Sequence, residues 1–179
     1  LLPELARALR GGHMVEAGSL QNRSVEFVLF LTLPAAAALL VMAEPIVRFL
    51  YERGNFAPSA TITVSQILGI YGLGLPAFVL IKAFIPGFFA REDTRTPMIF
   101  AAISVVVNVS LALTLFPRLG GPGIAIAEIT AGWVNAALLF GMLLWRGHWH
   151  VDIPLLTRIP RLLLAAALMA GFVHYALTW

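Results

Sequence analysis

The sequence predicts an all-α, polytopic membrane protein, and three observations support that class. Sixty per cent of the 179 residues are hydrophobic, only 12% are charged, and the mean hydropathy is +0.90. A soluble domain usually has about 45–50% apolar and about 25% charged residues, so this chain carries about half the charge that a water-facing surface needs. The apolar residues also run continuously instead of alternating, which favours helices over the strands of a membrane barrel.

Five apolar stretches are long enough, or nearly so, to cross a membrane as helices. Crossing about 30 Å of hydrocarbon takes about 20 residues at about 1.5 Å each. The predicted spans, all within residues 25–179, are Phe27–Ala43, Ile62–Phe89, Met98–Phe116, Gly123–Trp145 and Ile159–Trp179. Residues 1–24 are predicted to form a cytoplasmic segment with a short interfacial helix, followed by a break at Gly11 and Gly12. Because the chain has no initiator Met and stops within an apolar stretch, we expect it to be an internal piece of a longer protein.

The arginines divide unequally between the two sides of these spans, and this predicts an orientation. Alternate connections lie on opposite sides of the membrane, and cytoplasmic connections carry an excess of Lys and Arg. Eight arginines fall on the same side as the N-terminal segment 1–24: Arg7, Arg10, Arg23, Arg91, Arg95, Arg146, Arg158 and Arg161. Three fall on the other side: Arg48, Arg53 and Arg118. Residue 1 is therefore predicted to be cytoplasmic and residue 179 external.

The sequence contains no recognisable catalytic or cofactor-binding motif. The sequence has no cysteine, which excludes a disulfide scaffold, a zinc–cysteine site, an iron–sulfur cluster and a thiol nucleophile. It also lacks the H-E-x-x-H, G-x-S-x-G and phosphate-loop motifs. For His148 and His150 a loop or interfacial role is favoured over metal binding. From the missing motifs we predict that the protein is not an enzyme and uses no metal or cofactor. The pI is about 10.0, but the arginines lie between apolar stretches as in membrane loops, so we also predict no nucleic-acid partner.

Small residues and prolines inside the spans predict closely packed, kinked helices, because small side chains let helix backbones approach and proline removes a backbone donor. The prolines are Pro34 and Pro76. The small residues are Ala35–Ala38 in the first span, Gly69, Gly72 and Gly74 in the second, and Ala125, Ala131, Gly132 and Ala136 in the fourth. Such helices occur both in moving transporters and in rigid bundles, and a moving bundle is favoured.

Four of the polar residues inside the spans are the most informative, because an unpaired polar group in hydrocarbon costs free energy. Asn108 and Asn135 are near mid-membrane, and interhelical hydrogen bonding is favoured for them over a position on the wall of a solvated cavity. Lys82 lies roughly 10 Å deep at about 1.5 Å per residue, so it either snorkels or has a function. Glu128 lies five residues inside its span and must pair, take up a proton or face water. Its role is left open.

Several runs of residues resemble one family of membrane exporters. They are Leu2–Arg7, Leu50–Phe56, Gly74–Phe78, Pro86–Pro97 and Asn135–Leu139. Together they closely resemble the MurJ (MviN) family of bacterial lipid II flippases, within the MOP exporter superfamily. The likeness runs along essentially all of the chain, and Ala90–Pro97 is its most specific part.

The resemblance implies a fourteen-helix transporter of two six-helix lobes and a final pair, of which this chain holds the end of the eighth helix through the thirteenth. It implies alternating access around a cationic cavity, in the bacterial inner membrane, for lipid II (undecaprenyl-pyrophosphate-linked disaccharide-pentapeptide). The other implied partners are membrane lipids and the missing N-terminal lobe and last helix of the same chain. Lys82 matches a family lysine, whereas Glu128 departs from the small or apolar residue usual there.

Candidate site residues follow from the polar positions and the resemblance together. The substrate-binding candidates are Lys82, Asn108 and Asn135, and the gate or loop candidates are Arg53, Arg91, Asp93, Arg95, Thr96 and Pro97. Asp93 or Thr94 is expected to cap the following helix. Three alternatives remain open: another MOP-type exporter of lipid-linked sugars or drugs, a membrane scaffold that transports nothing, and an intramembrane enzyme.

Overall fold

The computed structural model describes residues 2–11, 13–52 and 58–178, and in these ranges the regular structure is helical, with no strand. The helices are α1 (Leu2–Arg10), α2 (Met14–Tyr51), α3 (Pro58–Phe89), α4 (Arg95–Leu119), α5 (Gly121–Trp145) and α6 (Ile153–Thr178). By length and composition, α2 to α6 are suited to cross a membrane. The predicted all-α class with five spanning helices is confirmed.

The helices extend beyond the predicted apolar spans. Helix α2 has 38 residues, so at about 1.5 Å per residue it is about 57 Å long, nearly twice the hydrocarbon thickness of about 30 Å. Residues 14–24 therefore continue the first spanning helix and do not belong to a separate interfacial helix. The short helix before them ends at Arg10, and Gly11 forms a turn. Hydropathy does not detect such extensions, because a helix keeps its backbone hydrogen bonds beyond the point where its side chains become polar.

The five long helices stand side by side in the order α6, α2, α3, α5, α4. Helix α1 packs against the beginning of α2 through Leu5, Ala8 and Ala17, and it also touches Ala90 after the end of α3. Helix α4 contacts mainly α5, and its buried residues are confined to its beginning. The outer faces of α4 and α6 expose large apolar side chains, as surfaces that face lipid do.

Glycines let α3 approach both of its neighbours, which confirms the predicted role of the small residues. A Cβ added at Gly72 would lie 3.0 Å from Leu39 Cβ on α2. A Cβ at Gly74 would lie 2.6 Å from Ile129 Cγ2, and one at Gly132 would lie 2.6 Å from Phe78 Cε1. A larger residue at Gly74 or Gly132 would force the side chain of Ile129 or Phe78 to shift, because packed interiors leave no free space at these separations.

The apolar core lies at one end of the helix row, where the α3–α4 and α5–α6 connections meet. Trp149, in the α5–α6 connection, is only 3% exposed. Its ring centroid lies 5.8 Å from that of Phe84 on α3 and 5.3 Å from that of Phe140 on α5. Because offset and edge-to-face ring pairs are favourable at these distances, the connection is part of the core at this end.

Candidate functional site

The three substrate-binding candidates lie on three different helices. Lys82 on α3 is exposed, and Asn108 on α4 and Asn135 on α5 are half-buried. Within the described ranges, neither Lys82 nor Asn108 has an ion-pair or hydrogen-bond partner, and the buried Oδ1 of Asn135 has no hydrogen-bond partner. In these ranges, the structure therefore joins these residues by no hydrogen bond or ion pair.

The packing of the helices gives the relative depth of these side chains. A Cβ at Gly74 would meet Ile129, and one at Gly87 would meet Leu143, so α3 and α5 run in the same direction. Lys82 is therefore near the level of Asn135. Ser104 on α4 donates to the Ala131 carbonyl at 2.9 Å, and α4 runs antiparallel to α5. Asn108 is four residues, or about one turn, beyond Ser104, and it therefore lies near the level of Glu128.

Polar groups near the beginning of α5 are bonded across helices. The hydroxyl of Tyr71 on α3 donates to Glu128 Oε2 at 2.6 Å, and the indole nitrogen of Trp133 donates to the Leu73 carbonyl at 3.1 Å. The interhelical hydrogen bonds predicted for Asn108 and Asn135 are wrong within the described ranges, because Tyr71, Trp133 and Ser104 form the bonds between helices instead. Tyr71 was missed, although a tyrosine inside an apolar span needs a partner for its hydroxyl.

Asp93 caps the beginning of α4, as expected for this loop. Its Oδ1 accepts from the Thr96 backbone N–H at 3.0 Å, and its Oδ2 accepts from the Thr96 hydroxyl at 2.6 Å. These bonds, together with the nearby Arg146, lower the pKa of Asp93 to about 2, so the carboxylate is ionised at neutral pH. Thr94 makes no capping bond with its side chain, and Pro97 is buried in the first turn of α4.

Arg146, at the end of α5, joins the α3–α4 loop to α5. Its Nη1 lies 2.5 Å from Asp93 Oδ2, and its Nη2 donates to the Thr96 hydroxyl oxygen at 3.1 Å. The sequence pattern did not predict this contact, because Arg146 and Asp93 are 53 positions apart. The available signal in the sequence was that Asp93 and Arg146 both lie in connections predicted on the same side of the membrane.

Arg91 joins the α3–α4 loop to the α5–α6 connection. Its guanidinium donates to the Gly87 carbonyl at 2.7 Å, in the last turn of α3, and to the His148 carbonyl at 2.8 Å. Its side chain is therefore held within the chain, whereas Arg95 is exposed. Arg53, the remaining gate or loop candidate, lies outside the described residues.

His148 lies near both of these cations, and its Nδ1 is buried without a hydrogen-bond partner in the described part of the chain. Burial lowers the pKa of His148, and the positive charges of Arg91 and Arg146 lower it further. The lowered pKa favours the neutral form of this side chain. Across residues 2–11, 13–52 and 58–178, no three His, Asp or Glu side chains are arranged to hold a metal ion.

The beginning of α2 belongs to the same end of the helix row. Trp149 Nε1 donates to Asn22 Oδ1 at 2.9 Å, and Asn22 Nδ2 donates to the His150 carbonyl at 3.0 Å. Gln21 Nε2 also donates to the Ala83 carbonyl on α3 at 2.9 Å. The three segments that carry most of the arginines therefore meet at one end of the row.

These features define a multi-pass membrane protein whose loops at one end are joined by buried and charged contacts. The family model for "Lipid II flippase MurJ" matches residues 1–178. The chain belongs to the MurJ family.

Individual relatives agree with this assignment. A probable lipid II flippase MurJ from Rhizobium meliloti (strain 1021) is 76% identical over 179 residues, which are 100% of this chain and 34% of that protein. One from Rhizobium tropici is 56% identical over 98% of this chain and 33% of its own length. A solved structure of lipid II flippase MurJ in an inward closed conformation matches with a TM-score of 0.80 and 25% identity, over 96% of this chain and 35% of that chain. The chain thus spans about a third of the length of these relatives, which fits five helices of a fourteen-helix transporter.

Proposed function

We propose that this chain is the greater part of the C-terminal lobe, with one following helix, of a lipid II flippase in the bacterial cytoplasmic membrane. The match of the lipid II flippase family model to residues 1–178 carries this proposal. The complete protein would move undecaprenyl-pyrophosphate-linked disaccharide-pentapeptide across the membrane by alternating access, with no covalent chemistry. The N-terminal lobe and the last helix would come from the rest of the same chain.

Lys82 is the side chain in this chain best suited to the anionic part of that substrate. It is an exposed cation on the central helix α3, without a partner in the described residues. Attraction between an ammonium and a pyrophosphate grows as the local dielectric constant falls. The amides of Asn108 and Asn135 would add neutral hydrogen-bonding groups suited to sugar or peptide, and the exposed Arg95 would face phosphates or anionic lipid at the loop end.

The test of this function is lipid II flipping by the full-length protein in vesicles. We expect the complete protein to flip lipid II, and residues 1–179 alone to insert without flipping above lipid-only controls, because alternating access needs two lobes around one site. Flipping by residues 1–179 alone would contradict the proposed mechanism. A complete protein that moves only another lipid-linked sugar would identify a different MOP-type exporter, and one that moves neither would favour a scaffold.

The orientation gives a separate prediction that uses the two ends of α4. In the full-length protein, a cysteine replacing Leu119 should react with an impermeant thiol reagent added outside intact cells. A cysteine replacing Thr94 should react only after permeabilisation, because the end of the helix row with most arginines is placed in the cytoplasm. Both positions are exposed, and Thr94 makes no capping bond that the substitution would remove. The reverse labelling pattern would overturn the orientation.

A further inference from the structure

The α3–α4 loop and the first turn of α4 contain charged groups that a substrate gate would expose, yet the structure pairs Arg91 and Asp93 inside the chain. Asp93 accepts from Thr96 and contacts Arg146, and Arg91 donates to the carbonyls of Gly87 and His148. Among the three charged gate candidates that the structure describes in this loop, only Arg95 has no contact of this kind. We call the contacts of Asp93, Thr96 and Arg146, together with that between Arg91 and His148, the loop latch.

The latch joins the α3–α4 loop and the first turn of α4 to the end of α5 and the α5–α6 connection. Arg146 uses one guanidinium nitrogen for Asp93 and another for the hydroxyl of Thr96, whose residue is buried. This two-point contact restricts the guanidinium orientation more than a single bond would. Arg91 adds a bond from the α3–α4 loop to the α5–α6 connection, where the neighbouring Trp149 is inserted in the core.

We propose that Arg146 is a positioning residue, and that the loop latch stays closed throughout transport so that α3, α4 and α5 move as one unit. This role in transport rests on the proposed function. The latch differs from a gate in one mechanical respect, since a gate must open in each cycle and the latch must not. Close contact between α3 and α5 at Gly74 and Gly132 supports joint movement of these helices.

The contact itself is tested by the thermal stability of the full-length protein in detergent, independently of transport. Arg146→Gln and Asp93→Asn are each expected to lower the unfolding midpoint by several degrees, and the double variant is expected to lower it little further. Arg146→Lys should recover part of the loss, because it keeps the charge but not the second donor. Arg95→Gln is the control, and its effect should add to that of Asp93→Asn. Additive effects of Arg146→Gln and Asp93→Asn would overturn the latch.

The transport role is tested by replacing the ion pair with a covalent link. In a full-length protein free of other reactive cysteines, Asp93→Cys and Arg146→Cys are combined and joined by a bifunctional thiosulfonate, and linkage is verified by mass. The linked protein is expected to flip lipid II at least as fast as the same protein before linkage. Loss of flipping on linkage, reversed by reduction, would show that the loops must separate and would overturn the proposal. Failure of the unmodified full-length protein to flip lipid II would instead refute the proposed function, and the stability test would still decide the contact.

Discussion

Gly132→Leu is expected to remove most of the folded full-length protein from the membrane. A Cβ at this position would already lie 2.6 Å from Phe78 Cε1 and 3.1 Å from Cδ1, and leucine adds three further carbons. Overpacking a well-packed interface costs about 1–3 kcal/mol and occasionally more. This contact joins α3 to α5 at the centre of the helix row. We therefore expect that a leucine forcing these helices apart would destabilise the whole bundle.

The same helix provides a matched control for this prediction. A Cβ at Gly141 would meet no atom within 4 Å, so Gly141→Leu should leave membrane abundance and the detergent unfolding midpoint nearly unchanged. Adding Phe78→Ala to Gly132→Leu should restore part of the abundance, because it removes the ring that the new side chain meets. Equal abundance of the two leucine variants would show that Gly132 is not needed for the close approach.

Lys82→Met is expected to slow lipid II flipping by about ten- to hundredfold while membrane abundance is retained. Loss of a hydrogen bond to a charged group costs about 1.5–3 kcal/mol, and each 1.36 kcal/mol is about tenfold in rate. Lys82→Arg keeps the charge and should be better tolerated. Insertion of a lysine at mid-helix costs about 2.5–3.5 kcal/mol, less near the interface, so removing the charge should not harm insertion.

The comparison of the two variants of Lys82 separates the two roles left open by the sequence. Flipping and abundance are measured for the full-length protein with Lys, Met and Arg at this position. If the Met variant supports flipping as well as the Lys protein does, the side chain only snorkels to the interface. The charge of the substrate would then be met by residues outside this chain.

Much of the architecture was predictable because it depends on local properties of the chain. Each predicted span lies within one helix, apart from Trp179, which is outside the described residues. This agreement follows because a membrane helix satisfies its own backbone hydrogen bonds and needs a continuous apolar stretch. The capping role of Asp93 was also local, since the residue it bonds is three positions away. The resemblance in Ala90–Pro97 and the other runs then led to the family that the comparisons confirm.

The pairing of side chains across the bundle was decided only by the tertiary structure. Arg146 and Asp93 are 53 positions apart, and Trp149 and Asn22 are 127 apart. Their contacts depend on the helix order α6, α2, α3, α5, α4, which differs from the order along the chain. Hydropathy does not reveal that order, because residues that face lipid and residues that face another helix are both apolar. The sequence by itself thus determined the number of spanning helices and the family, whereas helix neighbours and the partners of Asp93 and Glu128 required the packed structure.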